Sequence, residues 1–104
     1  MINKIVYISG KITGCPDLNK PKFSHAEKEL KKIYKKVINP HKLPANHDKS
    51  WEAYMKACII ALCKCDVVFL LDDWMQSKGA MLEFEIAAEL GLEIKSVENQ
   101  YFIK

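Results

Sequence analysis

The run Asp66-Val67-Val68-Phe69-Leu70-Leu71-Asp72-Asp73-Trp74, with Ser77-Lys78-Gly79-Ala80 close behind it, decides the fold. Val67 to Leu71 are all apolar, without polar alternation, which is the pattern of a strand covered on both faces. A helix is predicted from about Ser77 to Leu90, with Ser77 as its N-cap and Gly91 as its C-cap. A doubly covered strand that feeds a helix is a building unit of a parallel sheet.

The same alternation holds upstream. Ile5-Val6-Tyr7-Ile8 is a second wholly apolar strand and ends in the loop Ser9-Gly10-Lys11-Ile12-Thr13-Gly14. A helix is predicted from about Pro21 to Tyr34, with Phe23, Ala26, Leu30, Ile33 and Tyr34 on one face. Pro21 suits a first turn, while Ser24-His25-Ala26-Glu27 fits a capping box. Lys36-Val37-Ile38-Asn39 reads as a short strand stopped by Pro40, and a long polar loop follows to Ser50. Trp51, Tyr54, Met55, Cys58, Ile59, Leu62 and Cys63 then recur at helical spacing. Ile94 to Val97 is a fourth strand, and Tyr101-Phe102-Ile103 suits a fifth strand or a partner contact. The expected architecture is a single α/β domain over 1–104. Its parallel sheet has four to five strands in the order 2-1-3-4(-5), with right-handed crossovers and helices on both faces.

Composition narrows the function classes. With 104 residues, 49% hydrophobic and 28% charged, the chain has the balance of one globular domain and not of a disordered or collagenous segment. No run of 18 apolar residues exists, and Met1-Ile2-Asn3-Lys4 leads into no cleavage site, so neither a membrane span nor a secretory leader is expected. The net charge is +3, and all 16 basic residues are lysines. Lacking arginine, the usual bidentate reader of guanine and phosphate, the chain is not expected to bind a nucleic acid polymer. Lys28, Lys31, Lys32, Lys35 and Lys36 read as one solvated helix face. The four cysteines, Cys15, Cys58, Cys63 and Cys65, form no C-x-x-C and read as reduced core thiols of a cytoplasmic protein. His41 and His47 stand at no recognisable spacing to Asp72 and Asp73, so no metal and no cofactor is expected.

In such sheets ligands bind beyond the carboxyl ends of the strands, where the strand order reverses. Between strands 1 and 3 this brings together Ser9 to Gly14 and Asp72 to Glu83. The Gly10–Gly14 loop is neither a dinucleotide fingerprint nor a P-loop; it is equally compatible with close backbone approach to a phosphate or sugar and with a plain turn. Ser77 caps a helix whose N-terminus also attracts anions. Glu83 is the odd residue on its helix, because its neighbours at helical spacing are Gly79, Ala80, Ile86 and Ala87. A carboxylate on so small and apolar a surface stands at a pocket wall or is badly placed, and Gly79 and Ala80 leave room beside it. Asp72 is positioned to hydrogen-bond a sugar hydroxyl or a base, whereas Asp73 also suits a solvated loop acid.

As an ordered set these landmarks resemble a family. Ile5-Val6-Tyr7-Ile8-Ser9-Gly10 with Thr13-Gly14, Val37-Ile38-Asn39-Pro40, Trp51, Tyr54-Met55, Cys65-Asp66, Trp74, Ser77-Lys78-Gly79-Ala80, Glu83, Ala87 and Leu90-Gly91 carry the likeness. The chain is similar to small, often phage-borne proteins of unknown function related to nucleoside 2-deoxyribosyltransferases and nucleotide N-glycosidases. The resemblance implies a three-layer flavodoxin-like fold and a nucleoside or nucleotide ligand in a bacterial or phage-infected cell. It implies Glu83 as the nucleophile at the anomeric carbon and Ser77 near a 5′-phosphate. Tyr7 and Gly10 would border the sugar. It also implies a homodimer or homotetramer, since related enzymes complete each site with a neighbouring subunit.

Three positions depart from the family pattern. Cys58 stands where members carry an aspartate facing the base, Lys11 where proline is common, and Lys78 where arginine is common. Lys11 and Lys78 would meet a phosphate as point charges. Asp72 or Asp73 is the expected substitute acid, Asp72 being the one assigned to catalysis, and Ser9, Cys58, Asp73, Trp74, Gly79 and Ala80 complete the expected substrate wall. Three functions fit these residues: an enzyme acting at an N-glycosidic bond, a module that binds a nucleotide or nucleotide-derived signal without turnover, and an oligomeric interaction protein.

Overall fold

A computed structural model of the chain describes residues 1–44 and 50–97. The elements, in chain order, are β1 (Ile2–Ser9), α1 (Lys20–Leu30), β2 (Tyr34–Ile38), α2 (Trp51–Cys63), β3 (Val67–Leu70), α3 (Lys78–Glu89) and β4 (Glu93–Ser96). All strand pairs are parallel, in the order β2-β1-β3-β4, as the sequence predicts. Tyr7 is flanked by Ile38 on one side and Val68 on the other.

Strand alternation sorts the core into two layers. Val6, Ile8, Val67 and Phe69 pack with Phe23, Ala26 and Leu30 of α1. Tyr7, Val68 and Leu70 pack on the opposite face with Cys58 and Leu62 of α2 and Ala87 of α3. The result is a flavodoxin-like three-layer α/β fold. Among the described residues no helix is long and apolar enough to cross a membrane.

Several boundaries differ from the sequence reading. Helix α1 stops at Leu30, and Tyr34 opens β2, opposite Ile2. The Ile2 amide donates to the Ile33 carbonyl at 2.7 Å, so sheet pairing overrides the continued apolar period. Ile33 is exposed as a consequence, and Lys35 and Lys36 lie in β2 and not on the helix. Ser24 falls inside α1 and caps nothing. Glu27 instead gathers Lys31, Lys42 and the Asn39 side chain, which fastens the turn after β2 onto α1. Cys63 is exposed at the end of α2 and is not a core thiol, while Cys58 and Cys65 are buried; all four cysteines are free. The expected fifth strand falls outside the described residues, as do the Tyr101–Ile103 segment and His47.

Candidate functional site

The cleft lies at the carboxyl ends of the paired strands β1 and β3, which lead to helices on opposite faces of the sheet, α1 on one and α3 on the other. Helix α3 places Ala80, Glu83 and Ala87 on its buried stripe, so Glu83 is a carboxylate aimed at the sheet. It is 5% exposed. The Tyr7 hydroxyl donates to Glu83 Oε2 at 2.6 Å, and the Ser9 hydroxyl donates to Oε1 at 2.7 Å. Tyr7 and Ser9 are two apart on one strand, so both side chains leave the same face of the sheet. Burial pushes the Glu83 carboxyl above its ordinary range, and the two hydroxyl donors pull partly against that. Burial and the neighbouring carboxylate together push the Tyr7 phenol well up, so it stays a donor.

Around Glu83 the wall is built of small and neutral groups. Gly10 and Thr13 come from the loop after β1, Ser77, Gly79 and Ala80 from the start of α3. Trp51, Tyr54, Met55 and Cys58 face them from α2, with Ile12 and Pro40 at the sides. The hollow between them is partly open and measures about 30 Å³. Met55 accounts for much of this closeness: a Cβ added at Gly79 would meet Met55 Sδ at 2.9 Å. Gly10 is needed for a different close approach, since a Cβ there would fall 2.9 Å from Leu71 Cβ.

Ser77 accepts the Ala80 amide at 3.1 Å and so caps α3 as the sequence predicts. Lys78 Nζ stands 4.5 Å from the centroid of the Trp51 ring and links the first turns of α2 and α3. Cys58 is 1% exposed, and burial, seconded by the Glu83 charge, pushes its thiol up. Burial pushes the Tyr54 phenol far up. Tyr54 Oη is buried with no hydrogen-bond partner among the described residues, the Cys58 thiol lying beside it only as a weak polar neighbour.

The structure therefore gathers Tyr7, Ser9, Gly10, Cys58, Ser77, Gly79, Ala80 and Glu83 around one cleft. It does not bring Asp72, Asp73, Trp74 or the Lys11 side chain to that wall. Leu71 turns toward the α1 face of the sheet, and Asp72 beyond it is 59% exposed and paired with Lys22 at 2.8 Å. Trp74 packs on Phe84, with ring centroids 4.7 Å apart. Asp73 fastens the loop after β1: it accepts the Lys11 amide at 2.9 Å and the Asn19 side chain at 3.0 Å, with Lys22 at 3.2 Å. Partial burial works against ionisation of Asp73, but the Lys11 amide and the Lys22 ammonium outweigh it and hold the carboxyl below its ordinary range. The fastened loop includes Asp17, Leu18 and Asn19, three successive non-glycine residues at positive φ. Such residues are costly unless their surroundings hold them, and the Asn19 side chain is held at both Asp73 and the Lys11 carbonyl.

Sequence reasoning did not single out Ile12, Thr13, Pro40, Trp51, Tyr54 or Met55 as site residues. For Trp51, Tyr54 and Met55 the helical spacing reads as core packing. The one available signal was a tyrosine hydroxyl one turn before Cys58.

Comparison with known proteins bears on the family and the fold. A family model described as a domain of unknown function, DUF4406, matches residues 4–96. The chain belongs to the DUF4406 family. No curated protein matches the sequence. Among solved structures, this DUF4406 chain is similar to a 2-desoxiribosyltransferase from Leishmania mexicana, with a TM-score of 0.67 at 19% sequence identity. The alignment covers 89% of this chain and 63% of that one. At that identity the likeness is one of fold, and the DUF4406 chain spans somewhat less than two thirds of the transferase's length.

Proposed function

We propose that the cleft binds a nucleoside or its 5′-monophosphate and that Glu83 attacks the anomeric carbon, so that the N-glycosidic bond is cleaved or its sugar transferred. The observation that carries this reading is the Glu83 carboxylate, buried at the end of β1, held by two hydroxyls and bordered by Gly79 and Ala80. Breaking an N-glycosidic bond builds positive charge on the sugar, and a fixed carboxylate stabilises that charge or forms a covalent intermediate. Tyr7 and Ser9 orient the carboxylate. Ser77 and the N-terminus of α3 lie where a 5′-phosphate would gain from free amides, with Lys78 as a point charge. The similar fold of a 2-desoxiribosyltransferase supports the same direction. A panel of nucleosides and nucleotides, assayed for free base, tests it: the wild type releases base and Glu83→Gln does not. Release from no member of the panel contradicts the enzymatic reading.

The neutral Cys58 thiol on the α2 wall, where an acid would assist the departing base, favours one alternative, a module that binds nucleotide without turnover. In that case a nucleotide raises the melting temperature while no base appears.

A further inference from the structure

Four features of the cleft converge on the charge of its ligand, an inference that rests on the N-glycoside reading. Glu83 is buried, its hydrogen bonds come from two neutral hydroxyls, and among the described residues no cation pairs with it. A desolvated carboxylate in this state gains most from a ligand that brings a positive charge. The α2 wall is neutral: burial keeps both the Cys58 thiol and the Tyr54 phenol protonated. Tyr54 lines the cleft and carries a buried hydroxyl whose polar neighbour is the weak Cys58 thiol, whereas such hydroxyls are normally fully satisfied. Aromatic rings also line the cleft, and one of them, Trp51, already holds a cation against its face.

A neutral base needs a proton as it departs. A base joined to the sugar through a quaternised nitrogen does not. We infer that the cleft is built for an N-glycoside whose heterocycle already carries positive charge on the glycosidic nitrogen, an N-ribosyl pyridinium being the simplest, with Tyr54 Oη as the hydrogen-bond partner of the base. The step balances without an acid. A lone pair of a Glu83 carboxylate oxygen forms a bond to C1′, the C1′–N bond breaks, and its electron pair neutralises the ring nitrogen, so a neutral pyridine leaves. Water then attacks C1′, the carboxylate leaves with its electron pair, and the surplus proton passes to solvent.

The test compares nicotinamide riboside and its 5′-monophosphate with adenosine, uridine and their 5′-monophosphates, each series also as the 2′-deoxy form. Base release is followed by chromatography and corrected for the rate in buffer. The expected result is a kcat/KM for the pyridinium probes about 100-fold above the neutral ones, the minimum that a missing acid exacts. Tyr54→Phe is expected to raise KM for nicotinamide probes about tenfold with little change in kcat, the scale of one lost hydrogen bond. Equal or faster release from adenosine or uridine overturns this inference and leaves the N-glycosidase reading standing. Release from neither series overturns both.

Discussion

Tyr7 and Glu83 lie 76 positions apart in the chain, yet the phenol oxygen stands 2.6 Å from the carboxylate, with both groups buried. The contact crosses from the central strand to the helix that closes the site. Removing the hydroxyl withdraws a donor from a desolvated anion, and hydrogen bonds to charged groups are the expensive ones to lose. Tyr7→Phe should therefore cost about 1–3 kcal/mol in denaturant unfolding near pH 7. In the Glu83→Gln background the same change should cost less. A double-mutant cycle measures the difference.

Glu83 should also limit stability. Its folded pKa is raised, so relative to a neutral side chain its contribution is fully present below the unfolded value of 4.5 and is lost as pH rises through the folded value. Glu83→Gln is thus expected to melt higher than wild type at pH 7, with the gap closing as pH falls toward 4. Melting curves between pH 4 and pH 8 check this. The same shift places the acid limb of base release above pH 4.5, since the nucleophile must be ionised.

Glu27 behaves in the opposite sense. Burial opposes its ionisation, but Lys31, Asn39 and Lys42 overcome that and bring its carboxyl down to about 2. A depressed folded pKa contributes stability that is present above the unfolded value of 4.5 and is lost as pH falls toward 2. Glu27→Gln should destabilise by roughly 1–3 kcal/mol at pH 7 and progressively less below pH 4.5. Chemical denaturation at several pH values measures the convergence.

Gly79 and Gly10 should separate ligand space from fold. At Gly79 an added methyl meets the thioether of a flexible methionine, and alanine gains up to about 1 kcal/mol of helix propensity over glycine. Gly79→Ala should leave the melting temperature nearly unchanged while abolishing stabilisation by nucleotide. At Gly10 the methyl meets the Cβ of Leu71, which cannot swing away, so Gly10→Ala should cost about 1–3 kcal/mol. Thermal shift with and without ligand distinguishes the two.

What the sequence made legible follows from local physics. Val67–Leu70 and α3 announce themselves because a doubly buried strand leaves no polar alternation and a capped helix carries its own start and stop. Glu83 stood out because a carboxylate interrupts an apolar stripe. The end of α1 was hidden, since Ile33 and Tyr34 continue the helical period although their partners lie in β1. Asp73 looked like a solvated loop acid, and only the folded chain brings the Lys11 amide to it across 62 positions. The left-handed turn at Asp17–Asn19 has a signal in Asp17 and Asn19, which tolerate positive φ, and none in Leu18.

The central claim is that the Glu83 carboxylate faces the anomeric carbon of a bound sugar. A crystal structure of Glu83→Gln grown with a deoxynucleoside 5′-monophosphate measures it directly. The account predicts the sugar between Gly10 and Gly79, with C1′ about 3–3.5 Å from a side-chain terminal atom of residue 83 and the phosphate at Ser77. A nucleotide bound with its sugar away from residue 83, or a cleft that stays filled by Met55 at saturating ligand, would contradict it.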